Sequence, residues 1–195
     1  MRGGVAAPWR RRIWWITHGL LVVVVALALI AFSPPGINFL LLWPLVPLAA
    51  AVAISWVAML GGELRSKRPA WQRWIAPVVG VALIVALCSG LPRDVRWAMT
   101  RPAFEDVVAT LPVPAEGIVP EWNGWSEQRR VGTYAISRAV AVTGGYLFTE
   151  DSGAFFDLAG VAYLPFGPDG MALDGYDPQR FRAMGGAWFG WTDTW

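Results

Sequence analysis

The sequence predicts an α-helical membrane anchor of three transmembrane helices followed by a small α+β extracytoplasmic domain, an antiparallel meander of about four strands. Three observations carry this. Three long apolar runs fill Ile13 to Leu91. Lys and Arg gather at alternate ends of those runs. Beyond Leu91 the pattern changes to one short helix and then to period-two segments bounded by Gly and Pro. The division is 1–12, a cytoplasmic tail; 13–91, the transmembrane region; and 92–195, the outward domain.

A helix needs about 20 apolar residues to cross the hydrocarbon layer. Ile13 to Phe32 meets that length with His18 as its one ionisable residue. Phe39 to Leu60 meets it with no charge, and Trp74 to Leu91 is at the short end. Soluble helices carry a polar stripe at helical spacing, and these runs do not. Ser33-Pro34-Pro35-Gly36-Ile37-Asn38 is a turn, so the first two helices form an antiparallel hairpin.

Orientation follows from cationic residues near the helix ends. The tail carries Arg2, Arg10, Arg11 and Arg12; the second connection carries Arg65, Lys67, Arg68 and Arg73; the first carries none. The tail and second connection are therefore expected in the cytoplasm and the domain outside. Trp9, Trp14, Trp15, Trp71 and Trp74 stand where indole prefers the interface. A cleaved signal peptide fits the first run poorly: the run is too long, and Phe32-Ser33-Pro34-Pro35 is no cleavage site.

The charge is split. Through Leu91 there are eight basic residues and one acid, Glu63; from Pro92 on there are eight basic and thirteen acidic residues. The basic excess is a topology signal facing lipid headgroups, and no nucleic-acid partner is implied. Cys88, the single cysteine, lies in the third run, so no disulfide holds the outward domain.

In the helices, His18 is a candidate proton relay, with an imidazole bonded to a neighbouring helix as the plainer alternative. Pro44 and Pro47 suggest a kink in the second helix. Ala82, Ala86 and Gly90, four residues apart, form a small-residue stripe suited to helix packing. Pro92 is expected to end the third span. Thr100-Arg101-Pro102 then reads as a helix start, with Thr as cap and Phe104, Val107, Val108 and Leu111 as the apolar face. An irregular stretch with Trp122 and Trp125 follows.

The strands begin at Val131. Tyr134, Ile136, Val140 and Val142 are expected on one face of the first, and Gly144-Gly145 turns into a return strand to Thr149. Glu150-Asp151-Ser152-Gly153 reads as a solvated turn. Ala154 to Leu164 is the third strand, a loop runs to Gly186, and Ala187 to Trp195 is the last, with Phe189, Trp191 and Trp195 on one face.

Gly160-Val161-Ala162-Tyr163-Leu164-Pro165, Gly167-Pro168-Asp169-Gly170 and Gly186-Ala187-Trp188-Phe189-Gly190-Trp191 carry a resemblance. The stretch from Val131 onward resembles the carboxy-terminal region of uncharacterised small multi-span membrane proteins of actinobacteria. The resemblance implies a Gram-positive-type envelope and brings no catalytic residue with it.

No catalytic constellation is readable: the only His lies in an apolar run, so neither a Ser-His-Asp nor a Cys-His site is expected in the domain. Metal and cofactors are not expected either. Asp169, Asp174 and Asp177 lack calcium-loop spacing and read as turn formers. Trp122 and Trp125 are the candidates for ligand or partner contact. The reading is a non-enzymatic membrane accessory protein, embedded in the lipid bilayer and presenting its domain to another membrane or envelope protein. The alternative is a module that recognises cell-wall glycan or lipid through exposed tryptophans. An export accessory built on Pro44, Pro47 and His18 is the third.

Overall fold

Apolar sequence without a polar stripe forms helices that keep their side chains outward, and the amino-terminal half does so. The structure, a computed structural model, describes residues 8–34, 38–63, 74–151 and 157–194. Arg2, Arg65, Lys67, Arg68, Arg73 and Trp71 lie outside the described residues. So do the centre of the first turn (35–37), Ser152-Gly153 and Trp195.

Helix α1 spans Pro8–Ala31 and α2 spans Phe39–Glu63. The first helix therefore starts inside the stretch expected to be tail; Pro8 suits a first-turn position, where no amide donor is needed. Helix α2 runs unbroken past Pro44 and Pro47. Both helices are long and apolar enough to cross a membrane. Helix α3, Ile75–Cys88, has 14 residues. At about 1.5 Å per residue it spans roughly 21 Å, short of the roughly 30 Å hydrocarbon layer. A third span exists only if α3 and the following helix count as one broken crossing, so the expectation of three separate helices is corrected.

The correction lies at Ser89 to Pro92. Gly90 takes a left-handed backbone, φ +74°, and separates α3 from α4, Leu91–Ala109. Pro92, expected to end a helix, sits in the first turn of a new one. Thr100 and Pro102 fall inside α4 rather than at its start. Pro102 withholds an amide from the carbonyl of Ala98; both residues are exposed, where water serves that carbonyl.

The described residues form two compact units, one holding α1, α2 and α3 and the other holding α4 and the sheet. In the first, α1 packs on α3. Thr17, Val24, Ala28 and Ala31 of α1 and Val52 of α2 are buried. Trp43, Val46, Ile54, Val81 and Ile84 are exposed, a surface that suits lipid and not water.

The second unit is a six-stranded antiparallel sheet. Its strands are β1 (Arg129–Val131), β2 (Tyr134–Val142), β3 (Gly145–Glu150), β4 (Asp157–Tyr163), β5 (Phe181–Gly185) and β6 (Trp188–Thr194). The order is β1-β2-β3-β4-β6-β5: the four expected strands, β2, β3, β4 and β6, lie side by side in that order as an antiparallel meander, and two further strands, β1 and β5, extend its edges, so the strand count is corrected to six. Strand β5 comes from the expected loop and pairs outside β6. Strand β1 joins β2 through Gly132-Thr133. Gly132 has φ +56°, and a Cβ there would stand 2.4 Å from Thr100 Cγ2, so this turn seats directly on α4.

Both sheet faces are covered. On one, Trp97 and Phe104 of α4 meet Tyr134, Ile136, Ala139, Phe148, Val161 and Trp188. On the other, Met171 and Tyr176 from the 3-10 turn Asp169–Asp174 and its exit cover Val142, Leu147, Ala162 and Trp191. A bulge between Ile136 and Arg138 shifts the alternation in β2. Tyr134 and Ile136 face α4, whereas Val140 and Val142 face away, so the single face expected for these four is corrected.

Phe104 is the centre. Its ring lies 5.4 to 5.7 Å from those of Trp97, Tyr134, Phe148 and Trp188, and it is fully buried. Phe104→Ala is expected to cost about 3–5 kcal/mol, read as a lowered unfolding midpoint of the purified protein in detergent. Met99→Ala, on the exposed side of the same helix at 72% exposure, is expected to leave that midpoint unchanged.

Candidate functional site

A helix that covers a sheet must satisfy any polar group it buries there. Helix α4 presents Arg96, Thr100 and Phe104, four residues apart, with Trp97 beside them three residues before Thr100, so all four lie toward one face. Arg96 donates from its guanidinium to the Thr133 carbonyl at 2.9 Å and to Thr133 Oγ1 at 3.2 Å. The same group meets Glu150 Oε1 at 2.6 Å and lies 3.8 Å over the Tyr134 ring. Thr100 and Thr133 share a hydroxyl bond of 2.7 Å, and Trp97 Nε1 donates to the Met184 carbonyl at 3.0 Å.

Glu150 was expected in a solvated turn. It ends β3 instead, with its side chain 4% exposed. Burial raises its carboxyl above the usual carboxylate range, against the opposing pull of Arg96, and Asp151 adds to the rise. Burial also pushes the Tyr134 phenol up to about 12, with Arg96 again opposing. Glu150 Oε2 and the Tyr134 hydroxyl are buried without a hydrogen-bond partner among the described residues. Arg96 and Glu150 are 54 residues apart, and no local pattern announces such a pair.

Trp122 and Trp125 come together. Their rings stand edge to face at 5.4 Å, Trp122 meets Tyr146 at 5.2 Å, and Trp125 meets Phe148 at 5.9 Å. Both are half-buried against the sheet. Trp125 exchanges backbone bonds with Ala139 at 3.0 and 2.9 Å, which fixes this stretch along β2. The Arg129 guanidinium lies 5.0 Å over its ring.

The small-residue stripe divides. Ala82 is exposed and Ala86 half-buried on α3, while Gly90 is the break after it. His18 Nδ1 donates to the Trp14 carbonyl at 2.8 Å, and its ring stacks on Trp14 at 4.2 Å; Nε2 is buried without a hydrogen-bond partner among the described residues. Asp177 caps a local turn by accepting from the Gln179 amide at 2.9 Å, whereas Asp174 accepts at 2.7 Å from the amide of Thr143, 31 residues earlier in the chain. Among the described residues no three His, Cys, Asp or Glu gather as metal ligands.

Two cavities open beside α4. One, of 390 Å³, runs along its carboxy-terminal half between Arg101, Glu105, Val108, Tyr163 and Trp188. Arg101 and Glu105 close on each other there at 2.7 Å. The other, of 170 Å³, lies at its amino-terminal end between Arg93, Arg180, Arg182, Met184, Gly190 and Thr192. No protein family, curated protein or solved structure matches the chain.

Removing one partner of a buried ion pair strands the other charge. Arg96→Ala is expected to cost about 3–5 kcal/mol, read from denaturant unfolding of the purified chain. Linkage gives the sign for pH. The folded carboxyl of Glu150 is raised, so its contribution to stability is complete below the ordinary carboxylate range and is lost as pH rises through the raised value. Glu150→Gln is expected to flatten stability across that window. A wild-type stability that climbs through that window, or a variant that falls as steeply as the wild type, would contradict the assignment.

Proposed function

We propose that the chain is a membrane-anchored accessory protein that presents its sheet domain to another protein of the envelope and performs no catalysis. The observation that carries this is the contrast between the two units. One keeps long apolar helices uncovered, as lipid requires. The other fills both faces of its sheet with its own aromatic side chains, leaving contact to its rim and to the Trp122–Trp125 shoulder.

The domain lies outside the cytoplasm in this reading. Arg10, Arg11, Arg12 and the basic run from Arg65 to Arg73 favour the inner side for both the amino terminus and the second connection. The sidedness depends on a third crossing by α3 together with the start of α4.

A glycan platform draws less support from the tryptophans. Sugar stacking uses an open ring face, and Trp125 carries Arg129 over its ring while Trp122 is wedged against Tyr146. Co-purification from membranes in mild detergent tests the proposal. A protein recovered in fixed ratio, and lost with Trp122→Ala in a variant that still melts cooperatively, at a lowered midpoint, is the expected result. Retention on purified cell wall with no protein partner would refute it.

A further inference from the structure

The 170 Å³ cavity at the start of α4 is lined by three arginines from three separate elements. Arg93 belongs to the first turn of α4, Arg180 to the 3-10 turn Pro178–Arg180, and Arg182 to β5. No carboxylate lines it. Water occupies about 30 Å³ per molecule in the liquid, so the space is large enough for a tetrahedral oxyanion.

The sheet makes the room. Arg182 stands opposite Gly190 in the β5–β6 register. Paired residues share a face, and Gly190 has no side chain to fill the place beside the arginine. Thr192, two residues on and on the same face, brings a hydroxyl to the wall. Arg93 and Arg182 approach one point from two sides: a Cβ on Gly90 would lie 2.6 Å from Arg93 Nη2 and 3.7 Å from Arg182 Nη2. Two guanidinium groups converging this way repel each other unless an anion lies between them.

The neighbouring acids do not cancel this. Asp94 pairs with Arg93 at 3.2 Å, and Asp193 and Asp177 pair with Arg180 at 2.7 and 3.9 Å. All three carboxylates are substantially exposed, at 58, 42 and 52%, where such pairs are weak. Arg182 has no carboxylate partner among the described residues.

We propose that Arg93, Arg180 and Arg182 form a binding site for a phosphate group, with the arginine forks gripping its oxygens and the Thr192 hydroxyl completing the wall. Arginine suits this because its planar donors match phosphate oxygens two at a time. Arg93 follows two residues after Leu91 in the chain, and the Leu91, Val95, Met99 line of α4 is apolar and exposed. A phospholipid headgroup and free phosphate share the recognised chemistry. The site is built within the sheet unit, so it stands whichever side of the membrane that unit occupies and whether or not a protein partner exists.

The test uses the full chain in a neutral maltoside detergent without phosphate, titrated with dioctanoyl phosphatidylglycerol, dioctanoyl phosphatidylcholine and inorganic phosphate. The expected result is saturable one-to-one binding of phosphatidylglycerol or inorganic phosphate. Arg182→Gln weakens it by about tenfold or more and Arg182→Lys by less. Arg130→Gln, an equal charge change on the opposite sheet edge, leaves it unchanged. Displacement of the lipid by inorganic phosphate identifies the phosphate group as what is gripped. Binding of the lipid alone, or of inorganic phosphate alone, supports the site and assigns its source. No saturable binding of either anion overturns the proposal, as does equal weakening by Arg130→Gln. Arg182 is exposed, so its variants keep the wild-type melting curve and lost binding reads the site rather than the fold.

Discussion

The seating of α4 on one face of the sheet is the contact on which the carboxy-terminal unit depends. An antiparallel sheet with aromatic residues on both faces is insoluble unless both are covered. The far face is covered by short turns around Met171 and Tyr176. The near face carries Tyr134, Phe148 and Trp188, and α4 covers it with Phe104 and Trp97. Beside that apolar contact runs a polar one, in which Arg96 binds Thr133 and Glu150 across the same boundary. The apolar part supplies the driving force. The ion pair fixes the register of the helix on the sheet, because an arginine moved by one turn would leave Glu150 buried alone.

This arrangement decides where function is located. With both faces filled, the two cavities beside α4 lie on the rim of that helix and at the β5 edge of the sheet. The edges are basic, with Arg129 and Arg130 on β1 and Arg182 on β5. Charge on an edge strand deters pairing with other chains. On β5 that charge also faces a cavity, and there it gains a second use.

Much of the plan was legible from the residues. Apolar runs without a polar stripe marked the helices, and the Gly-flanked Tyr146 segment marked a return strand. The departures have specific causes. Pro92 both stops a helix and starts one, and only the left-handed backbone at Gly90 decides between these. The bulge beyond Ile136 inserts one residue into a strict alternation, so Val140 and Val142 turned to the unexpected face. Strands β1 and β5 are short and arginine-bearing, which hides them from a pattern of alternating apolar residues. The phosphate-site arginines and the Arg96–Glu150 pair are assembled from distant stretches, and one sequence carries no signal of such contacts.

Helix α4 belongs to the sheet unit rather than forming a tail of the membrane helices. Comparing soluble fragments 91–195 and 110–195 measures this directly. The longer fragment should melt cooperatively and give a dispersed amide spectrum, and the shorter one should aggregate or show neither property. Equal melting temperatures and matching spectra for the two would contradict it.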